Sequence, residues 1–201
     1  MGSVSAVKIV LDPPEGRLGG FKGVKCLFEI ELRSVPGDLE DVCGFVSGML
    51  EEVCGEEGDD AFNCVFRGAR FRVDAFIYSA RLAEEAARLL EEGEPPDEEG
   101  YPDIIDVLLA VGVQKAKPDA VYELVGRMAE KMQDIGAAPA VRISVFGGRK
   151  ALERLQRRLN GVESRLLDDR LALFPTTRQL YDRDLYRRLF GRPFPFNYLP
   201  F

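Results

Sequence analysis

The stretch FNCVFRGARFRVDAFIY (residues 62–78) decides how the chain is read. Apolar residues alternate on both sides of Arg67-Gly68-Ala69, so two strands meeting at a tight turn are expected. In the second strand Phe71, Val73, Ala75 and Ile77 share one parity and should face a core. Ser79 follows directly and is placed to cap a helix over residues 80–92, with Leu82, Ala86, Leu89 and Leu90 turned inward.

Working outward, VKCLFEIEL (24–32) alternates cleanly, with Val24, Cys26, Phe28, Ile30 and Leu32 opposite Lys25, Glu29 and Glu31. SVPGD then opens a helix running to about Cys54, capped by Asp38 or Ser34, with Leu39, Val42, Val46, Met49, Leu50 and Val53 forming its apolar stripe. Downstream, EEGEPPDEEGYPD (91–103) is an acidic, proline-rich loop. Helical patterns follow at about 103–112 and 118–134, and AVRISVF (140–146) alternates as another strand. SAVKIVL (5–11) reads as one further short strand. Without it the order is β-α-β-β-α-β. The expected fold is therefore α+β: a ferredoxin-like antiparallel sheet with a helical insertion and a C-terminal helical and aromatic extension. Residues 1–160 form one α/β domain with the insertion at about 95–138, and residues 161–201 form a basic extension ending in an aromatic tail. In this order strands 24–32 and 69–78 are neighbours, which pairs Arg70 and Arg72 with Glu29 and Glu31 across the helix-free face.

Hydrophobic residues make up 46% of the 201, enough for a substantial core, and no apolar run approaches the length of a membrane span. No basic-then-apolar leader opens the sequence, so a cytoplasmic protein is expected. Histidine is absent, arginine outnumbers lysine 20 to 7, and there are only three Asn and four Gln. That is a thermophile's composition, of an archaeal type. Without histidine or a C-x-x-C pair, no metal centre or cofactor is expected. Cys26, Cys43, Cys54 and Cys64 all sit in apolar patterns and read as buried thiols, with a disulfide left open because intracellular proteins of hyperthermophiles do contain them.

The net charge of −7 is unevenly distributed. Residues 1–141 carry 14 basic and 28 acidic side chains, and residues 142–201 carry 13 basic and six acidic. The positive third of the chain points to a local anionic partner, or to contact with the acidic remainder.

That third begins at ISVFGGRKALERLQRRL (143–159). Gly147 and Gly148 read as the turn between a strand and a helix, whose first N–H groups together with Arg149 and Lys150 could meet phosphate. The helix adds Arg154, Arg157 and Arg158 against a single acid, Glu153, and keeps Leu152, Leu155 and Leu159 for its other face. The stretch matches neither a P-loop nor a dinucleotide fingerprint. The segment RGARFRVDAF (67–76) has the outline of an RNA-recognition signature, but its alternation turns Phe71 inward, against base stacking on an open sheet. A short helical pattern spans 179–190. The tail beyond it holds Phe190, Phe194, Phe196, Tyr198 and Phe201 between prolines, a segment whose rings need burial against its own domain, a second copy or a protein partner.

The elements CLFEIELRS…LEDVCGFVSGMLEEVCG and VRISVFGGRKALERLQRRL resemble, in type and order, the small RRM-like protein subunit of archaeal ribonuclease P. The resemblance covers residues 24–92 and 140–159 and implies a ribonucleoprotein role. Together these features predict a non-catalytic protein that contacts the backbone of RNA or single-stranded DNA through Gly147, Gly148, Arg149, Lys150, Arg154, Arg157 and Arg158. The alternative is a self-assembling scaffold or protein-interaction subunit. An enzyme acting on a phosphorylated small molecule at 147–150 is the remaining class.

Overall fold

A computed structural model describes residues 7–13, 26–54, 62–93, 103–113, 118–135, 139–176 and 179. The chain builds β1 (Val7–Val10), β2 (Cys26–Val35), α1 (Leu39–Cys54), β3 (Phe62–Phe66), β4 (Ala69–Ser79) and α2 (Ala80–Glu92). It continues with β5 (Ile105–Val113), α3 (Pro118–Gln133), β6 (Ala140–Phe146), α4 (Arg149–Arg158), β7 (Glu163–Leu166) and β8 (Arg170–Phe174). All eight strands join one mixed sheet in the order β1-β4-β5-β2-β6-β8-β7, and β3 also pairs with β4.

The local signals hold. Arg67 and Gly68 both take positive φ, 49° and 74°, which makes the two-residue turn whose twist suits a hairpin. The Ser79 hydroxyl accepts from the Leu82 N–H at 3.1 Å, and Asp38 caps α1 by accepting from the Asp41 N–H at 2.8 Å. Phe71, Val73, Ala75 and Ile77 are buried beneath α1 and α3, together with Cys26, Phe28, Ile30 and Leu32 of β2. Val46, Leu50, Leu124 and Met128 bring the two helices onto that face. Full burial of each such side chain stabilises by about 1.5–3 kcal/mol.

The four-stranded β-α-β-β-α-β sheet expected from the sequence is not what the chain forms. Residues 103–112 were expected to be helical and part of an insertion, yet Ile105–Val113 is a strand at the heart of the sheet, flanked by β4 and β2. Every residue of β5 except Asp106 is buried. A strand covered on both faces loses its alternation and reads as a continuous apolar run, which period-based reasoning takes for a helix. Two connections then interlock. Helix α1 carries the chain from β2 to the β3–β4 hairpin past the place that β5 fills, and α3 carries it from β5 to β6 across β2.

β5 separates β2 from β4, so Arg70 and Arg72 do not lie opposite Glu29 and Glu31; Glu29 lies opposite Ala110 on one side and Arg142 on the other. Helix α2 has the expected stripe but buries none of its residues: Leu89 is 49% exposed and Leu90 87%. Residues 163–174, for which no strand was expected, form a hairpin that extends the sheet from β6.

Cys54 and Cys64 form a disulfide that ties the end of α1 to β3, which resolves the open question of cysteine pairing. Cys26 stays a buried thiol and Cys43 a half-buried one. No described helix is long and apolar enough to cross a membrane. The helical pattern at 179–190 and the aromatic tail lie outside the described residues, apart from Gln179.

Candidate functional site

Helix α4 forms because Leu152, Leu155 and Leu159 recur at three and four residues, and it docks because they reach the core. Leu152 and Leu159 are buried against the sheet, and Leu155 packs beside them. That orientation leaves Arg149, Lys150, Arg154, Arg157 and Arg158 exposed, all on one ten-residue helix. Gln156 Nε2 donates to Ser164 Oγ at 3.1 Å and fixes α4 against β7.

Gly147 and Gly148 connect β6 to α4 as expected, but without using the conformational freedom of glycine. Neither takes a positive φ, and Gly148 is extended at φ −69°, ψ 147°. A methyl group at Gly148 would meet open space, and one at Gly147 would make ordinary contact with Leu152 at 3.7 Å. The turn therefore does not require glycine at either position. What Gly148 does is leave the helix without a side-chain cap. The first turn contains no acid, and it begins with Arg149 and Lys150. Two cations at the positive end of a helix dipole cost stability, typically about 0.3–1 kcal/mol each, and raise the local positive potential.

Acidic neighbours offset part of this charge. Arg149 Nε meets Glu153 Oε1 at 3.2 Å, and its Nη1 lies 3.9 Å from Asp168. Arg157 Nε donates to the Glu153 carbonyl at 3.3 Å. Lys150 and Arg154 carry no ion pair among the described residues. From Arg149 to Thr176 there are seven basic and four acidic side chains, so the surface of α4 and its adjoining hairpin remains net positive.

A second group of charged residues lies on the sheet face opposite the main core, where Glu29 was expected to meet Arg70 or Arg72 and meets Arg142 instead. Glu29 is 2% exposed, and both its oxygens are held by Arg142: Nε donates to Oε1 at 3.1 Å, and Nη2 closes on Oε2. Asp74, also buried, lies 3.5 Å from Lys8 Nζ, and its Oδ1 accepts no hydrogen bond. Alternation places both acids on the helix-free face, and on sequence alone that reads as solvent. Leu27, Phe76, Leu108 and Ala110 cluster on the same face and are buried with them.

Among the described residues no cluster of His, Cys, Asp and Glu is arranged to hold a metal ion. Cys26, deep in β2, has its thiol pushed up to about 12 by burial, and the Cys43 thiol is raised by the same cause. Neither is suited to nucleophilic work, which needs the thiolate. The expected docking residues Phe190, Phe194, Phe196, Tyr198 and Phe201 lie outside the described residues. Comparison with protein families, curated proteins and solved structures finds no match to this chain.

Proposed function

We propose that the protein binds the sugar-phosphate backbone of RNA or single-stranded DNA through the exposed face of α4, with no catalytic step. One observation carries the reading: five basic side chains stand outward on a single helix whose leucines are locked in the core. The uncapped first turn supports it, since N–H groups and two cations there favour an anion. Lys150 and Arg154 are the most available contacts, and Arg149 exchanges its acidic partners for phosphate.

Engaging four or five phosphates gives a slope of log affinity against log salt of about −3 on single strands, so affinity falls about 60-fold from 50 to 200 mM salt. Fluorescence anisotropy with labelled single-stranded RNA and DNA measures this directly. The triple variant Arg154→Glu, Arg157→Glu, Arg158→Glu changes only exposed side chains and should retain the fold while losing binding. Binding unchanged in that variant overturns the proposal. The pairing of Arg149 with Glu153 and Asp168 supports a second reading, in which basic and acidic surfaces of neighbouring copies meet. That reading predicts a change of mass in solution for the same variant.

A further inference from the structure

Helix α2 is the least explained element of the fold. It is strongly amphipathic yet buries nothing. Leu82, Ala86 and Leu89 recur along one side, Leu90 flanks them, and Ile104 stands exposed beside the start of the helix, where its carbonyl accepts from the Ala80 N–H. The stripe runs into a groove of about 590 Å³ between the starts of α1 and α2. Pro36, Leu39 and Leu82 give the groove an apolar wall, and Asp38, Glu40 and Glu85 outnumber Arg81 on its rim, which is net acidic. Its geometry is fixed by Asp103, which accepts from Ser79 Oγ at 2.5 Å and from the Arg81 N–H at 3.0 Å. Glu40 and Glu85 carry no ion pair among the described residues.

We propose that this groove and the apolar side of α2 are the docking site for the C-terminal segment of the same chain, residues 180–201. The chemistry is complementary. The segment carries seven aromatic side chains and four arginines against two aspartates, to meet an apolar groove with an acidic rim. The path is also available. β8 is antiparallel to β6 and so runs with β2, and the chain leaves it heading toward the end of the sheet where β2 and β4 finish and the groove opens. Gln179 is anchored there: its side chain donates to the Gly161 carbonyl at 3.0 Å, and it exchanges hydrogen bonds with Thr176 in the reciprocal pattern that opens a helix. From β8 to β4 is four strand spacings, about 19 Å, and 22 residues can reach up to about 70 Å. The docked segment would cover Leu89 and Leu90, which the described elements leave exposed. It stands independently of the nucleic-acid reading, since α4 takes no part.

The chain has no tryptophan, so Phe196→Trp places a single reporter in the segment. In the full-length protein its emission should be blue-shifted and shielded from acrylamide at all protein concentrations. Adding Leu89→Asp and Leu90→Asp, both exposed, should lower the docking equilibrium about 100-fold, roughly tenfold for each leucine. The emission should then move to that of a solvated indole, with unchanged far-ultraviolet circular dichroism. An indole already solvated in the parent, or one indifferent to the α2 substitutions, overturns the proposal. So does shielding that disappears on dilution together with a fall in mass, which places the segment in the groove of a second copy.

Discussion

Replacing Arg142 by leucine isolates the energetics of the buried pair on the helix-free face. Glu29 lies in the interior strand β2 with almost no exposure, and Arg142 supplies hydrogen bonds to both of its oxygens. Without the guanidinium, a carboxylate remains in a site built to keep it from water. Breaking a fully buried pair costs about 3–5 kcal/mol. Here the arginine side chain is 39% exposed, so water can follow it in, and the expected loss is smaller, about 2–3 kcal/mol. With a urea dependence near 2.5 kcal/mol per molar for a chain of this size, the midpoint should fall by about 1 M. Removing both charges, as Glu29→Leu with Arg142→Leu, should restore most of it, because no orphaned charge is left and the neighbouring Leu27 and Ala110 are apolar. Equilibrium urea unfolding of the parent, both single variants and the double variant completes the cycle. A loss below about 1 kcal/mol in Arg142→Leu, or a double variant at least as unstable as the sum of the singles, refutes the reasoning.

Two other outcomes follow from the cysteines. Breaking the Cys54–Cys64 bond with a double alanine variant should cost about 3 kcal/mol through the entropy of the loop it closes, lowering the calorimetric Tm by about 6–12 °C; a shift within 2 °C would contradict it. The Cys26 thiol, raised from 9.0 to about 12, stays protonated in the fold at pH values where the unfolded chain has lost its proton. Its contribution is complete below pH 9 and declines as pH rises toward 12, by about 1.4 kcal/mol per unit. Urea midpoints between pH 8.5 and 10.5 should fall more steeply in the parent than in Cys26→Ala, and equal slopes would remove this assignment.

Local features were legible because their causes are local. The Arg67-Gly68 turn, the Ser79 and Asp38 caps and the leucine stripe of α4 each depend on a few neighbouring residues, and each stands where the sequence places it. β5 was not legible, because burial on both faces erases the period that distinguishes a strand from a helix. That single reading carried further errors with it. With β5 assigned to an insertion, β2 and β4 become neighbours, Glu29 is given the wrong partner, and Arg142, 113 residues away, is never considered. The stripe on α2 shows another limit: amphipathicity states that a helix has an apolar side, and it does not state what covers that side. At α4 the basic helix was readable, but its partial neutralisation was not, since Asp168 approaches Arg149 only through the β7–β8 turn.

The position of β2 has a consequence for how the chain emerges during synthesis. Both of its hydrogen-bonding partners are encoded late: Cys26 pairs with Val113, 87 residues on, and Glu31 with Ala140, 109 residues on. At translation rates of about 5–20 residues per second, β2 spends roughly 4–17 s outside the ribosome before β5 can cover one edge, and longer before β6 covers the other. Throughout that interval the nascent chain presents CLFEIELRSV, an apolar strand with two unmet rows of N–H and C=O groups. The strand that ends at the centre of the finished sheet is thus the one most open to wrong pairing at birth, and Glu29 and Glu31, interrupting its apolar run, keep it soluble until its neighbours arrive.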